Sequence, residues 1–260
     1  MTAIDFAAFV DELATVSGET IRPFFRSALG VENKSRSGGF DPVTAADRAA
    51  EAAMRTLIKR TFPEHGVVGE ELDADNPDAE YVWVLDPIDG TKSFICGMPA
   101  WGTLIALTRG GQPVYGMMHQ PFTREHFTGD GKGAHYRGPA GERDLCVRDC
   151  AQLRDAIMLT TSPLLMNEAD RQCFGHVENA VRLSRYGGDC YAYCVLAAGH
   201  VDLIIETELK PHDVLALIPI IEGAGGIMTT WENEPALKGG RIIAAGDKRV
   251  HAQAMKILNG

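Results

Sequence analysis

No segment of this 260-residue sequence is apolar for long enough to cross a bilayer; the longest such run, around 214–221, is too short and contains Pro219. Met1-Thr2-Ala3-Ile4-Asp5 offers neither a basic nor an apolar stretch, which argues against a secretory signal. Clusters of Lys and Arg are also missing. With 25 basic against 35 acidic residues the net charge is −10, so no nucleic-acid or membrane partner is expected. No Cys-x-x-Cys pair occurs among Cys96, Cys146, Cys150, Cys173, Cys190 and Cys194, and the two pairs spaced by four have no clustered His partner. That disfavours structural zinc and favours reduced thiols in a cytoplasmic protein. Internal repeats and low-complexity segments are absent.

Hydrophobic content of 45% and charged content of 23% are those of an ordinary globular protein. The length suits one large domain or two smaller ones sharing a core. Apolar spacing predicts a first helix over about 4–28. Residues 32–40, Gly-rich and polar, read as a mobile loop, and Thr44-x-x-Asp47 opens a second helix through about Thr61. Strands are expected at 67–68, 81–85, 103–108, 114–119, 125–128 and 133–137, an antiparallel meander. From 157 onward strands (157–161, 181–186, 201–206, 226–230, 242–245) alternate with helices (167–178, 189–198, 213–223, 248–258), as in a sheet covered by helices. Two sub-domains in one rigid unit are expected, 1–145 and 146–260.

Acids gather at the ends of these elements. Asp86-Pro87-Ile88-Asp89-Gly90-Thr91 follows a run of β-formers, Tyr81 to Leu85. Two carboxylates, a carbonyl between them and a tight turn are what a hard divalent cation needs. Pro87 fixes one φ, and Gly90 lets the chain turn sharply. Gly69-Glu70-Glu71 follows a short strand, Asp47 lies in the first turn of a helix, and Asp213 starts an apolar one. Each has a plainer local explanation: an acidic turn, a capping-box carboxylate or an N-cap. Their common location outweighs these, because functional groups of layered α/β folds collect at such ends.

Gly69-Glu70-Glu71, the run from Trp83 to Phe94, and Asp213 with Glu222-Gly223-Ala224-Gly225-Gly226 resemble the three motifs of the inositol monophosphatase family, and the resemblance covers nearly the whole chain. It implies an α-β-α-β-α sandwich, with an N-terminal antiparallel sheet and a C-terminal mixed one, and a homodimer. It implies Mg²⁺-dependent hydrolysis of a small phosphomonoester by a metal-activated water. Glu70, Asp86 and the Ile88 carbonyl would hold one Mg²⁺, with Thr91 nearby. Asp86, Asp89 and Asp213 would hold the second, and Glu70 would also touch a loosely bound third. Asp47 would hydrogen-bond the Thr91 hydroxyl to orient the water, Lys34 would lie on a mobile active-site loop, and the amides of Gly90 and Thr91 would bind phosphate.

Lys210-Pro211-His212-Asp213 lacks the aromatic residue that inositol-specific members carry before this Asp. The blocks from Arg185 to Tyr193 and from Val201 to Glu206 resemble those of the family's histidinol-phosphate phosphatases. Histidinol phosphate carries an ammonium and an imidazole, so its pocket should add carboxylates, for which Asp189 and Glu206 are the candidates. Arg185 would reach the phosphate or orient a carboxylate. Plainer roles remain open: a helix cap for Asp189, a surface pair for Arg185, and core or interface packing for Tyr191 and Tyr193. His212 reads as a neighbour of Asp213 rather than a ligand. Inositol monophosphate, a sugar bisphosphate or a nucleotide phosphate is the alternative substrate.

Overall fold

The computed structural model describes residues 6–27, 31–33 and 42–260, so Lys34 and most of the expected loop lie outside the described residues. Helix α1 (Phe6–Ile21) ends well short of residue 28. Pro23 has no N–H to continue the helix, and the chain goes on in turns, the Phe24 N–H donating to the Ile21 carbonyl at 2.9 Å. A small antiparallel pair follows, β1 (Val31–Asn33) with β2 (Pro42–Thr44), leading into α2 (Ala45–Thr61).

Seven strands then form one sheet in chain order: β3 (Gly66–Gly69), β4 (Tyr81–Asp89), β5 (Gly102–Arg109), β6 (Gln112–Gln120), β7 (Glu125–Gly129), β8 (Ala134–Gly138) and β9 (Gly141–Asp144). A short helix, α3 (Thr91–Ile95), lies between β4 and β5. The meander is antiparallel except at its first pair, where β3 and β4 run parallel. The sequence reading omits α3 and β9, both too short for periodicity to register.

The second half supplies β10 (Ile157–Thr160), α4 (Glu168–Glu178), β11 (Leu183–Tyr186), α5 (Asp189–Ala197), β12 (Leu203–Leu209), α6 (Pro211–Val214), α7 (Leu217–Gly223), β13 (Ile227–Thr230), β14 (Gly240–Ala245) and α8 (Lys248–Leu258). Its five strands are ordered β11-β10-β12-β14-β13, with β10 parallel to both neighbours and the β12, β14 and β13 pairings antiparallel. The single helix expected over 213–223 is two. Pro219 cannot donate to the Leu215 carbonyl, and the chain turns between α6 and α7.

Side-chain alternation explains the layers. On β4, Trp83 and Leu85 join Phe9, Leu13, Met54 and Ile58 of α1 and α2, whereas Val82 and Val84 face the cluster built on α5 and α7. On β14, Ile242 and Ala244 enter that same cluster, while Ile243 and Ala245 pack with Phe174 of α4 and Val250 of α8. The order is therefore helix pair, seven-stranded sheet, helix pair, five-stranded sheet, helix pair, the expected α-β-α-β-α sandwich. Close approach of α7 to the first sheet requires glycine there. A Cβ on Gly116 would lie 2.0 Å from the Ala216 carbonyl oxygen, and one on Gly129 2.3 Å from that of Pro219.

Candidate active site

Strand β4 runs through the acidic motif rather than ending at Leu85, but its pairing with β5 slips between Asp86 and Asp89. Pro87 has no ladder donor, so the strand bulges there. The freed Pro87 carbonyl accepts from the Thr103 hydroxyl at 2.8 Å, and Thr103 contacts the buried Ser17 hydroxyl of α1 at 3.0 Å. Asp86, 1% exposed, accepts the Ile88 N–H at 3.1 Å. Gly90 then takes φ 83, and α3 begins.

Three other segments bring their acids here. Asp213 lies in the short α6, where it accepts the Lys210 N–H at 2.6 Å, and His212 Nε2 stands 3.6 Å from it. Glu70 follows β3, with Lys210 Nζ 3.9 Å away. Asp47 is buried in the first turn of α2. Each of three sets places one ligand atom per residue within 4.8 Å of the others: Asp86, Asp89 and Asp213; Glu70, Asp86 and His212; Asp47, Glu70 and Glu71. Burial, and then the charges of Glu70, Asp89, Asp213 and Asp47, holds the Asp86 carboxyl well above the usual range. Asp89 is raised by burial and by Asp213, and Asp213 chiefly by burial. Buried oxygens that repel one another suit a hard divalent cation, whose charge would reverse that cost.

Two expected site residues make contacts other than those the resemblance implies. The Thr91 hydroxyl makes no hydrogen bond to Asp47. Its one proton goes to the Ile88 carbonyl at 3.1 Å, a short reach back across the turn, which leaves that carbonyl a second lone pair. Arg185 is exposed on the edge strand β11 and does not line the cavity beside the acids, since the edge leaves it to solvent.

That cavity, of about 200 Å³, reaches the acids through Asp89 and Asp213 and includes Gly90 and Thr91. Beyond them it is lined by Asp189, Glu206, Thr161 and Tyr193, with Leu165, Met166 and Leu209 as apolar wall. Glu206 is buried and accepts from the Thr161 N–H and hydroxyl and, at 3.0 Å, from the Tyr193 hydroxyl. Burial raises its carboxyl to about 7 against those bonds. Asp189 accepts from the Ser93 hydroxyl at 2.6 Å, and burial raises it too.

Glu51 is not among the candidates that the sequence offers. Fully buried one helical turn after Asp47, it accepts the Glu71 N–H at 2.8 Å and Arg55 Nε at 2.7 Å. Arg55 in turn donates to the carbonyls of Leu72 and Asp73. The pair fixes the turn that carries Glu70. The i, i+4 spacing from Asp47 was the available signal.

Comparison with known proteins identifies the family. Residues 4–259 match the model of the inositol monophosphatase family. The chain belongs to that family. A phosphatase of the inositol monophosphatase family, it is 43% identical to the bifunctional phosphatase IMPL2, chloroplastic, of Arabidopsis thaliana, over 97% of this chain and 75% of that protein. It is 34% identical to the histidinol-phosphatase of Mycobacterium tuberculosis, over 100% of this chain and 97% of the other. Among solved structures, an inositol monophosphatase from Zymomonas mobilis superposes with a TM-score of 0.87 at 41% identity, each chain covered to 97%. No helix among the described residues is long and apolar enough to cross a membrane.

Proposed function

We propose that this phosphatase is Mg²⁺-dependent and hydrolyses L-histidinol phosphate to L-histidinol and phosphate, a reaction of histidine biosynthesis. The supporting observation is the pair of carboxylates, Asp189 and Glu206, that the cavity carries beyond the acid cluster. A neutral polyol needs no such charge, whereas a substrate with an ammonium and an imidazole does. Glu206, with its carboxyl near neutrality, would meet the imidazole in either protonation state. Asp189 would meet the ammonium.

Glu70, Asp86, the Ile88 carbonyl, Asp89 and Asp213 would hold two Mg²⁺. Bound there, the ions would offset phosphate charge and lower the pKa of water. The chain's own part is orientation. The amides of Gly90 and Thr91, at the first turn of α3, would hold a phosphate oxygen, and Glu70 and Asp47 would face the attacking water. Leu165, Met166 and Leu209 would exclude bulk solvent from one wall. Inositol 1-phosphate is the second reading, favoured by the likeness to the Zymomonas mobilis enzyme.

The test is kcat/KM for L-histidinol phosphate against inositol 1-phosphate at saturating Mg²⁺. The expected preference for histidinol phosphate is at least about tenfold. Equal values, or a preference for the inositol ester, would overturn the assignment while leaving the phosphatase chemistry intact.

A further inference from the structure

Asp189 has an unusual backbone. Its φ is 43, following Gly187 at 82 and Gly188 at 141, so three successive residues lie at positive φ. Two of these are glycines, which adopt it freely; an aspartate does so at a cost that surrounding contacts must offset. Those contacts come from the other half of the chain. The Cys190 N–H donates to Asp89 Oδ2 at 2.7 Å. Asp189 packs so closely on Gly90 that a Cβ there would lie 2.9 Å from its own. The side chain is then caught by Ser93, 96 residues away in sequence, whose hydroxyl donates to Oδ2 at 2.6 Å.

We infer that Ser93 is a positioning residue that aims the Asp189 carboxylate into the cavity and thereby favours substrates bearing an ammonium group. A serine has one proton to give, and giving it to Oδ2 fixes the rotation of the carboxylate. Oδ1 has no hydrogen-bond partner among the described residues and is left for the substrate. A carboxylate here also burdens its surroundings, because its charge adds to the repulsion felt by Asp89. A fixed negative charge beside the acid cluster is useful when the ligand brings a positive one. Ser93 belongs to the same motif as Asp86, Asp89 and Thr91, so one segment carries both the cation ligands and the device that orients the specificity group.

The inference rests on the reading of Asp189 as the ammonium partner, and a double-mutant cycle separates the two. KM and kcat are measured for L-histidinol phosphate and inositol 1-phosphate in the wild type, Ser93→Ala, Ser93→Thr, Asp189→Ala and the Ser93→Ala/Asp189→Ala pair, at saturating Mg²⁺. Ser93→Ala is expected to raise KM for histidinol phosphate about fivefold, with a much smaller effect on kcat and on the inositol ester. Ser93→Thr, which keeps the hydroxyl, should restore most of that loss. Added to Asp189→Ala, Ser93→Ala should change nothing further. Equal effects on both substrates, or additive effects in the pair, would overturn the role of Ser93 while Asp189 kept its own. An Asp189→Ala variant with an unaltered substrate ratio would instead remove both.

Discussion

At the scale of single residues, what distinguishes this site is the number of carboxylates held out of water. The acids of the motif were legible because Asp86, Asp89 and Gly90 fall within five residues and their order has a direct reading in cation chemistry. The bonds of Glu51 and Ser93 were not, because they reach across 20 and 96 residues, although the helical spacing of Glu51 from Asp47 pointed to the same face. The exposure of Arg185 was not legible, because sequence alone does not say that β11 is an edge strand. Glu206 carries a prediction of its own. Its folded-state carboxyl is raised from 4.5 to about 7, so the folded protein binds this proton more tightly than the unfolded chain. That contribution is full below about pH 4.5 and is lost as the pH rises through about 7, on the order of 3 kcal/mol in all. With Mg²⁺ present to occupy the acid cluster, the melting temperature of Glu206→Gln should fall less than that of the wild type between about pH 5 and about pH 8. Parallel profiles would show that Glu206 does not titrate as its burial implies.

At the scale of elements, the turns matter more than the strands they join. The bulge of β4 at Pro87 sets Asp86 and Asp89, and Thr103 and Ser17 satisfy it from β5 and α1. The Glu70 turn is held from α2 through Glu51 and Arg55. Glu51→Gln keeps the volume but removes the charge that Arg55 and the Glu71 N–H share. The Mg²⁺ concentration for half-maximal activity should therefore rise several-fold, with a smaller change in the substrate KM at saturating Mg²⁺. An unaltered Mg²⁺ requirement would reduce Glu51 to a packing role. Element boundaries followed the sequence where one rule acted alone, as in α2 and α8. They departed from it where a proline intervened, at the end of α1 and between α6 and α7. Only the first pair of the expected meander is parallel, a choice the short β3 could not reveal beforehand.

At the scale of the whole molecule, the candidate active site draws on both sheets. Asp86 and Asp89 lie on the seven-stranded sheet and Glu70 just after its first strand; Asp189, Glu206 and Asp213 come from segments around the five-stranded one. Helices α5 and α7 pack between the sheets and set the distance, with Gly116 and Gly129 permitting the approach of α7. The layered architecture was legible because β4 over 81–85 and β14 over 242–245 are apolar without interruption, as strands covered on both faces must be, and because the family motifs span the chain. Which groups would face one another across the layers was not. The proposed function makes the reaction depend on a cation held by acids collected from these separate segments. The most direct measurement is phosphate release from L-histidinol phosphate by EDTA-stripped wild type and Asp89→Asn as Mg²⁺ is restored. The wild type should be inactive when stripped and recover with Mg²⁺, and Asp89→Asn should remain at least about a hundredfold slower while still folded. Release that persists in EDTA, or an Asp89→Asn variant as fast as the wild type, would contradict the account.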